Sequence, residues 1–268
     1  MRTILNRAVG HRAWVAACLA FVLTVPAWAE RIGACADQAE MPPFAYRARA
    51  DGHALDRVVG ASVDLLKWIG QPYHWDVDVQ LLPWARCLAT VSDKQLQIAI
   101  DVDKGDAEAS GLVVSKPFFT MHHVYFYSRK ARPEGIKLQS LADLHHYRVC
   151  GLGGYRFESY GIDTQQVDRG TVGYEELIAK LHVGRCDLFI ASRESVGGMY
   201  LINPKLRTLL VDGNLVSQPL PGSPEHRLYF AVSAKASNAK DLIGRIDSGI
   251  DRAEQQGKVQ QLLNKYLE

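Results

Sequence analysis

The chain has no surplus of charge of either sign: 31 Lys+Arg stand against 29 Asp+Glu in 268 residues. That balance excludes a basic nucleic-acid binder and an acidic disordered tail. Internal repeats, a Gly-X-Y period and sustained heptads are absent, which excludes solenoid, collagen-like and coiled-coil designs. Gly-x-Ser-x-Gly, His-Glu-x-x-His and the phosphate-binding loop are missing as well. Cysteine is scarce, five in all, and no two form a Cys-x-x-Cys, so the usual metal-binding spacing is lacking. Beyond residue 30 no apolar run approaches the roughly 20 residues of a transmembrane helix.

What is present begins with an address. Arg2, Arg7 and Arg12 precede an apolar run over 13–25, closed by Pro26 and by Ala27-Trp28-Ala29. This is the layout of a secretory signal peptide, expected to occupy 1–29. Val15-Ala16-Ala17-Cys18 resembles a lipoprotein cleavage box, but most of the apolar run lies behind that cysteine, so soluble export to the periplasm is expected. Removing the signal leaves roughly 240 residues close to neutrality.

The remaining cysteines, Cys35, Cys87, Cys150 and Cys186, form an even set in an exported chain, which favours disulfides. Four cysteines allow three pairings. The chain organisation favours Cys35–Cys87 and Cys150–Cys186, each within one half of the molecule.

Periodicity points to α/β architecture. A strand is expected over 31–36, and Ser62 caps a helix over 62–70. Alternation predicts a strand over 75–81, Pro83 opens a helix with Trp84, Cys87, Leu88 and Val91 at helical spacing, and 96–100 reads as a third strand. A second pass holds strands at 124–127, 147–152, 165–168, 187–191 and 207–211. Helices fall at 141–144, 155–160, 174–181 and 196–202. A strand at 228–233 returns before two helices divided near Gly257. Strand–helix alternation of this kind builds open, mostly parallel sheets that bind ligands at the carboxyl ends of their strands. Two lobes are expected, 30–125 with 229–268 and 126–228, joined by two crossing strands that act as a hinge.

Several segments carry a resemblance. Met41-Pro42-Pro43-Phe44, Gly60-Ala61-Ser62-Val63-Asp64-Leu65-Leu66, Ser115-Lys116-Pro117-Phe118-Phe119 and Gly184-Arg185-Cys186-Asp187 occur in order across 32–266. In motif and spacing the chain resembles the family 3 periplasmic solute-binding proteins, receptors of polar amino-acid ABC importers. The resemblance implies the two-lobe type II periplasmic-binding-protein fold. It also implies a small polar solute as ligand, an ABC permease in the inner membrane as partner, a monomer, and no cofactor, metal or nucleic acid. Cyclohexadienyl-dehydratase-like enzymes and periplasmic sensors on the same fold are the alternative.

The family's carboxylate-clamping Arg, seven residues before the Ser of Ser-x-Pro, is replaced by Glu108, and its ammonium-holding Asp by Ser192. A guanidinium fork suits a planar carboxylate and Glu does not. The ligand-binding residues expected on this pattern are Phe44, Trp84, Asp101, Ser115, Gly153, Tyr155, Arg156 and Ser192. Tyr46 is a further aromatic candidate, and Arg86 and Arg193 are further cationic ones. Trp84 suits either a stacking contact or the helix core. Asp101 and Asp103, at a strand end, with Glu108 make the first lobe acidic and favour a cationic or hydroxyl-rich ligand. Gly151-x-Gly153-Gly154-Tyr155 offers backbone N–H groups to an anion, and Arg156 adds a positive charge beside them. His122-His123 and His145-His146 do not make metal sites, since adjacent strand residues face opposite ways.

Overall fold

The computed structural model describes residues 29–153, 157–171 and 173–267. The expected signal peptide over 1–29 lies, but for its last residue, outside them, as do Tyr155 and Arg156. Among the described residues no helix is long and apolar enough to cross a membrane.

The first half opens with β1 (Glu30–Asp37), a hairpin of β2 (Tyr46–Ala50) and β3 (His53–Val59), and α1 (Ala61–Gly70). It continues with β4 (Trp75–Leu82), α2 (Trp84–Ser92), β5 (Ile98–Val102), α3 (Lys104–Ala109), β6 (Leu112–Val114) and β7 (Phe119–Met121). The second half comprises β8 (His123–Ser128), β9 (Val149–Leu152), β10 (Asp168–Thr171), α4 (Tyr174–His182), β11 (Leu188–Ser192), α5 (Arg193–Gly198), α6 (Lys205–Val211) and β12 (Leu215–Pro219). The chain then returns through β13 (His226–Ser233) to α7 (Ala239–Gln255) and α8 (Lys258–Leu267).

Two sheets form, in the orders β4-β1-β5-β13-β6 and β10-β9-β11-β8-β12. In each, three strands run parallel, β4/β1/β5 and β10/β9/β11, and the crossing strand lies antiparallel beside them. The inner parallel strands, β1 and β5 in one sheet and β9 and β11 in the other, bury both faces. In the first lobe Ile32, Ala34 and Ala36 of β1 join a core with α1, α7 and α8, while Cys35 faces α2 on the other side. The second lobe repeats this, with Leu177, Ile178 and Leu181 of α4 on one face and Leu144, Phe157 and Ile162 on the other. Helices on both faces of a largely parallel sheet leave the carboxyl ends of the strands as the open rim. This is the two-lobe type II periplasmic-binding fold that the sequence pattern implies.

Among the described residues the chain passes between the lobes in two stretches. β7 pairs antiparallel with the first residues of β13, Met121 with His226 and Phe119 with Leu228. β8 lies wholly in the second sheet, paired with β11 and β12. Both disulfides form within single lobes: Cys35 of β1 with Cys87 of α2, Cα atoms 5.7 Å apart, and Cys150 of β9 with Cys186, 5.8 Å apart.

Several elements differ from the sequence reading. The 207–211 stretch is helix: Leu206, Leu209 and Leu210 sit at helical spacing behind Pro204 and pack on the α4 core. The 165–168 stretch holds a single turn, Thr164–Gln166, whose start Asp163 caps by accepting the Gln165 N–H, and the strand begins at Asp168. Of the helix expected over 155–160, the described part is one turn, Glu158–Tyr160, closed by Gly161 at φ 73°. Helix α5 begins at Arg193, earlier than expected, because Ser192 caps it. Helix α1 starts after Gly60 with no side-chain cap, so Ser62 lies inside it and turns its hydroxyl to another task.

Candidate functional site

The carboxyl ends of β1 and β5, the loop after β1, the start of α2 and the α3 turn border a cavity of about 220 Å³ in the first lobe, which adjoins one of about 460 Å³ between the two lobes. Met41, Asp101, Asp103 and His226 border both. The first lobe adds Asp37, Glu40, Trp84 and Asp106, and the second adds His123, Tyr160, Tyr174 and Ser192. No lysine or arginine is among the described residues bordering either cavity.

Asp101 is the most unusual of these groups. β5 runs two residues further than expected, so Asp101 sits within the strand, at φ 61°, a left-handed backbone that Asp and Asn tolerate better than most residues. Ser62 Oγ donates to its Oδ1 at 2.5 Å, while Oδ2 is shut off from solvent with no hydrogen-bond partner among the described residues. The residue as a whole is partly accessible, but Oδ2 is not. Burial pushes the carboxyl up to about 7, against the opposing Ser62 bond.

Its acidic neighbours are better supplied with donors. Asp103 caps α3 by accepting the Asp106 N–H at 2.8 Å, and Asp106 accepts the Trp84 indole N–H at 2.6 Å. Glu40 is held by Arg49 at 2.6 Å. The two imidazoles add little positive charge. Burial pushes His226 down despite Asp103 and Asp106, and pushes His123 down despite the Pro224 carbonyl. Neighbouring His122 turns to Glu194, with Nδ1 and Oε1 2.8 Å apart. The cleft therefore presents carboxylates, an indole and neutral rings, a surface complementary to a small cation.

Of the residues expected to bind ligand, Trp84, Asp101 and Ser192 border the cleft. Ser192 Oγ also accepts the Ser195 N–H at 3.0 Å, as the cap of α5. Phe44 does not reach the cleft: it is fully buried against Phe119 in the first-lobe core. Tyr46 is buried too, edge-on to Tyr266. Ser115 also lies away from the cleft, where its hydroxyl donates to the Lys116 carbonyl and accepts the Phe230 N–H, stitching β6 to β13. Gly153 spends its N–H on the Thr171 carbonyl at 2.8 Å, in the β9–β10 pairing, and borders neither cavity. Glu108 is exposed on the outer face of α3, 3.9 Å from Lys104, so it is not part of the acidic wall. Asp106 takes that place instead.

The sequence reading did not include Asp106, His226, Met41 or Asp37. Asp106 had a signal, since an Asp at 103 capping a turn brings the residue three later beside it. His226 had none beyond its place at the start of the return strand. The close group Cys150, Asp168 and Cys186 offers no metal site, because the two sulfurs are bonded to each other.

Solved structures of the same architecture cover nearly the whole chain. The substrate-binding protein AbpA of an amino acid ABC transporter from Streptococcus pneumoniae Canada MDR_19A, bound to L-arginine, is 19% identical with a TM-score of 0.63, over 88% of this chain and 94% of that one. An ancestral cationic amino acid solute binding protein is 14% identical with a TM-score of 0.63, over 89% and 96%. A histidine kinase sensor domain with similarity to periplasmic binding proteins is 18% identical with a TM-score of 0.62, again over 89% and 96%. At such identities the likeness shows the fold. No curated protein matches the chain. Residues 34–268 match the bacterial extracellular solute-binding proteins, family 3, and the chain belongs to that family.

Proposed function

We propose that this protein is a periplasmic receptor that traps a small cationic solute between its lobes and presents it to an ABC permease in the inner membrane. One observation carries the reading: a first-lobe cavity that brings Asp101, Asp103 and Asp106 together with the Trp84 indole opens, through Asp101 and Asp103, on a cavity walled by both lobes, and no described lysine or arginine borders either. A cation entering it meets opposite charge on one side and the second lobe on the other, so binding favours the lobes-together arrangement. The hinge lies at the two crossings, near residues 119–123 and 220–228, a few residues before the boundary expected at 125. Neither disulfide spans it, which leaves the lobes free to move.

The test is a thermal-shift screen of the purified protein against amino acids, diamines, guanidino compounds, sugars and organic acids. Ligand binding raises the melting temperature by mass action. Cationic amines and guanidines should raise it. A response confined to organic acids or sugars would refute the reading. An enzyme on the same fold is the second reading, favoured by a carboxyl near neutrality in a cavity that His226 also borders. Turnover of prephenate by the same preparation would establish it.

A further inference from the structure

Within the acidic wall one group is set apart by geometry. Asp103 and Asp106 each accept an N–H donor, whereas Asp101 Oδ2 is closed to solvent and accepts nothing among the described residues. A carboxylate oxygen in that position is costly when ionised, and the cost disappears when it carries a proton or when a cation is placed against it. Among the described residues, the charged groups around it do not supply that cation. On the first lobe they are Asp37, Glu40, Asp103 and Asp106, all acidic, and His226, an imidazole pushed down by burial. From the second lobe His123 faces it, pushed down by burial as well. Asp64 of α1 is turned away toward Lys265 and Tyr266. Among the described residues Ser62 donates to Asp101, on the other oxygen.

We infer that Asp101 is the ammonium- or guanidinium-anchoring residue of the cleft, and that a bound cation displaces the proton this carboxyl holds in the ligand-free protein. The inference rests on the solute-binding reading above and assigns the residue that anchors its cation. The exchange balances simply. A cation enters, the Asp101 O–H bond breaks, the proton leaves to solvent, and the resulting carboxylate is paired with the ligand's N–H donors. Affinity then rises about tenfold per pH unit on the acid side of the carboxyl's midpoint and levels off above it. Burial places that midpoint at about 7, within the periplasmic range.

Two measurements test it separately. Carbon-detected NMR of the ligand-free protein, with Asp101→Asn for assignment, should show one carboxyl titrating near neutrality that the variant lacks. Calorimetry with L-arginine and agmatine as probes, each in two buffers of unlike ionisation heat, should show about 0.9 proton released at pH 6 and about 0.1 at pH 8, from a midpoint of about 7. Asp101→Asn should release none and bind at least tenfold more weakly at pH 8. A midpoint in the ordinary Asp range, or cation binding without proton release, overturns the inference and leaves the receptor reading standing. Failure of both probes and of every cation in the screen overturns the receptor reading, while the NMR titration still decides the protonation of Asp101.

Discussion

Asp101→Asn should stabilise the ligand-free protein at pH 8 and do almost nothing at pH 4. The native carboxyl is raised from 3.8 to about 7 by burial, so the folded chain retains a proton that the unfolded chain has lost throughout that window. Stability attributable to the group is therefore full below the unfolded value and falls as pH rises through the folded one. About 3 units at ~1.36 kcal/mol each gives roughly 4 kcal/mol between the two extremes. Asn mimics the protonated acid: its carbonyl can still accept from Ser62 Oγ, and it tolerates the left-handed backbone at φ 61°. The pH-dependent part is thus separable from packing and strain. Urea denaturation of both proteins at pH 4, 6 and 8 reads the difference directly, and for a chain of this size it corresponds to roughly 8–16 °C in melting temperature at pH 8. A variant no more stable relative to wild type at pH 8 than at pH 4 would refute the argument. So would a wild type whose relative stability climbs with pH.

Three further outcomes follow from the same structure. A Cβ added at Gly198 would lie 2.5 Å from the Pro42 carbonyl carbon and the Pro43 nitrogen, backbone of the opposite lobe, so Gly198→Ala should weaken ligand binding about tenfold or more and enlarge the particle in solution scattering with ligand. Unchanged affinity and size would show that this contact does not limit closure. Asp187 is raised by burial, but hydrogen bonds from Arg148 and Arg132 outweigh it and hold the group far below the ordinary carboxylate range. Asp187→Asn should cost about 2 kcal/mol at pH 7, with the difference shrinking as pH falls below ~3.8, and denaturation curves across pH 2–7 check both. Reducing the disulfides, which span separations of 52 and 36 residues, should cost about 4 kcal/mol each in the chain-entropy account. Melting with and without reductant measures the loss, and mass spectrometry of the non-reduced digest confirms the pairs.

The elements readable from sequence were those with a strong period and a clear boundary. α1, α4 and α7 show apolar residues at i, i+3 and i+4, and β4 alternates cleanly. The short apolar stretch at 207–211 fits strand and helix equally, and only packing against α4 decides it. The β2–β3 hairpin carries a legible signal, Asp51-Gly52, both at positive φ, but β2 alternates Arg only with Tyr and small Ala, and β3 shows little alternation.

The site was half legible for a different reason. The rule that open α/β sheets bind ligands at strand carboxyl ends brought out Asp101, because it depends on topology alone, while the family resemblance pointed to Ser192 and, with the strand end, to Trp84. Phe44 and Ser115 lie in motifs just as prominent, yet they hold the scaffold: one fills the core, the other ties β6 to β13. The acidic wall turns on a helix of six residues. With Asp103 as cap, residues two apart on α3 point about 200° from each other, so Asp106 and Glu108 cannot both face the cleft. Asp106 faces in, where the Trp84 indole holds it, and Glu108 faces out to Lys104. Composition shows only that both are acids. The phase of one helical turn decides which of them a ligand meets.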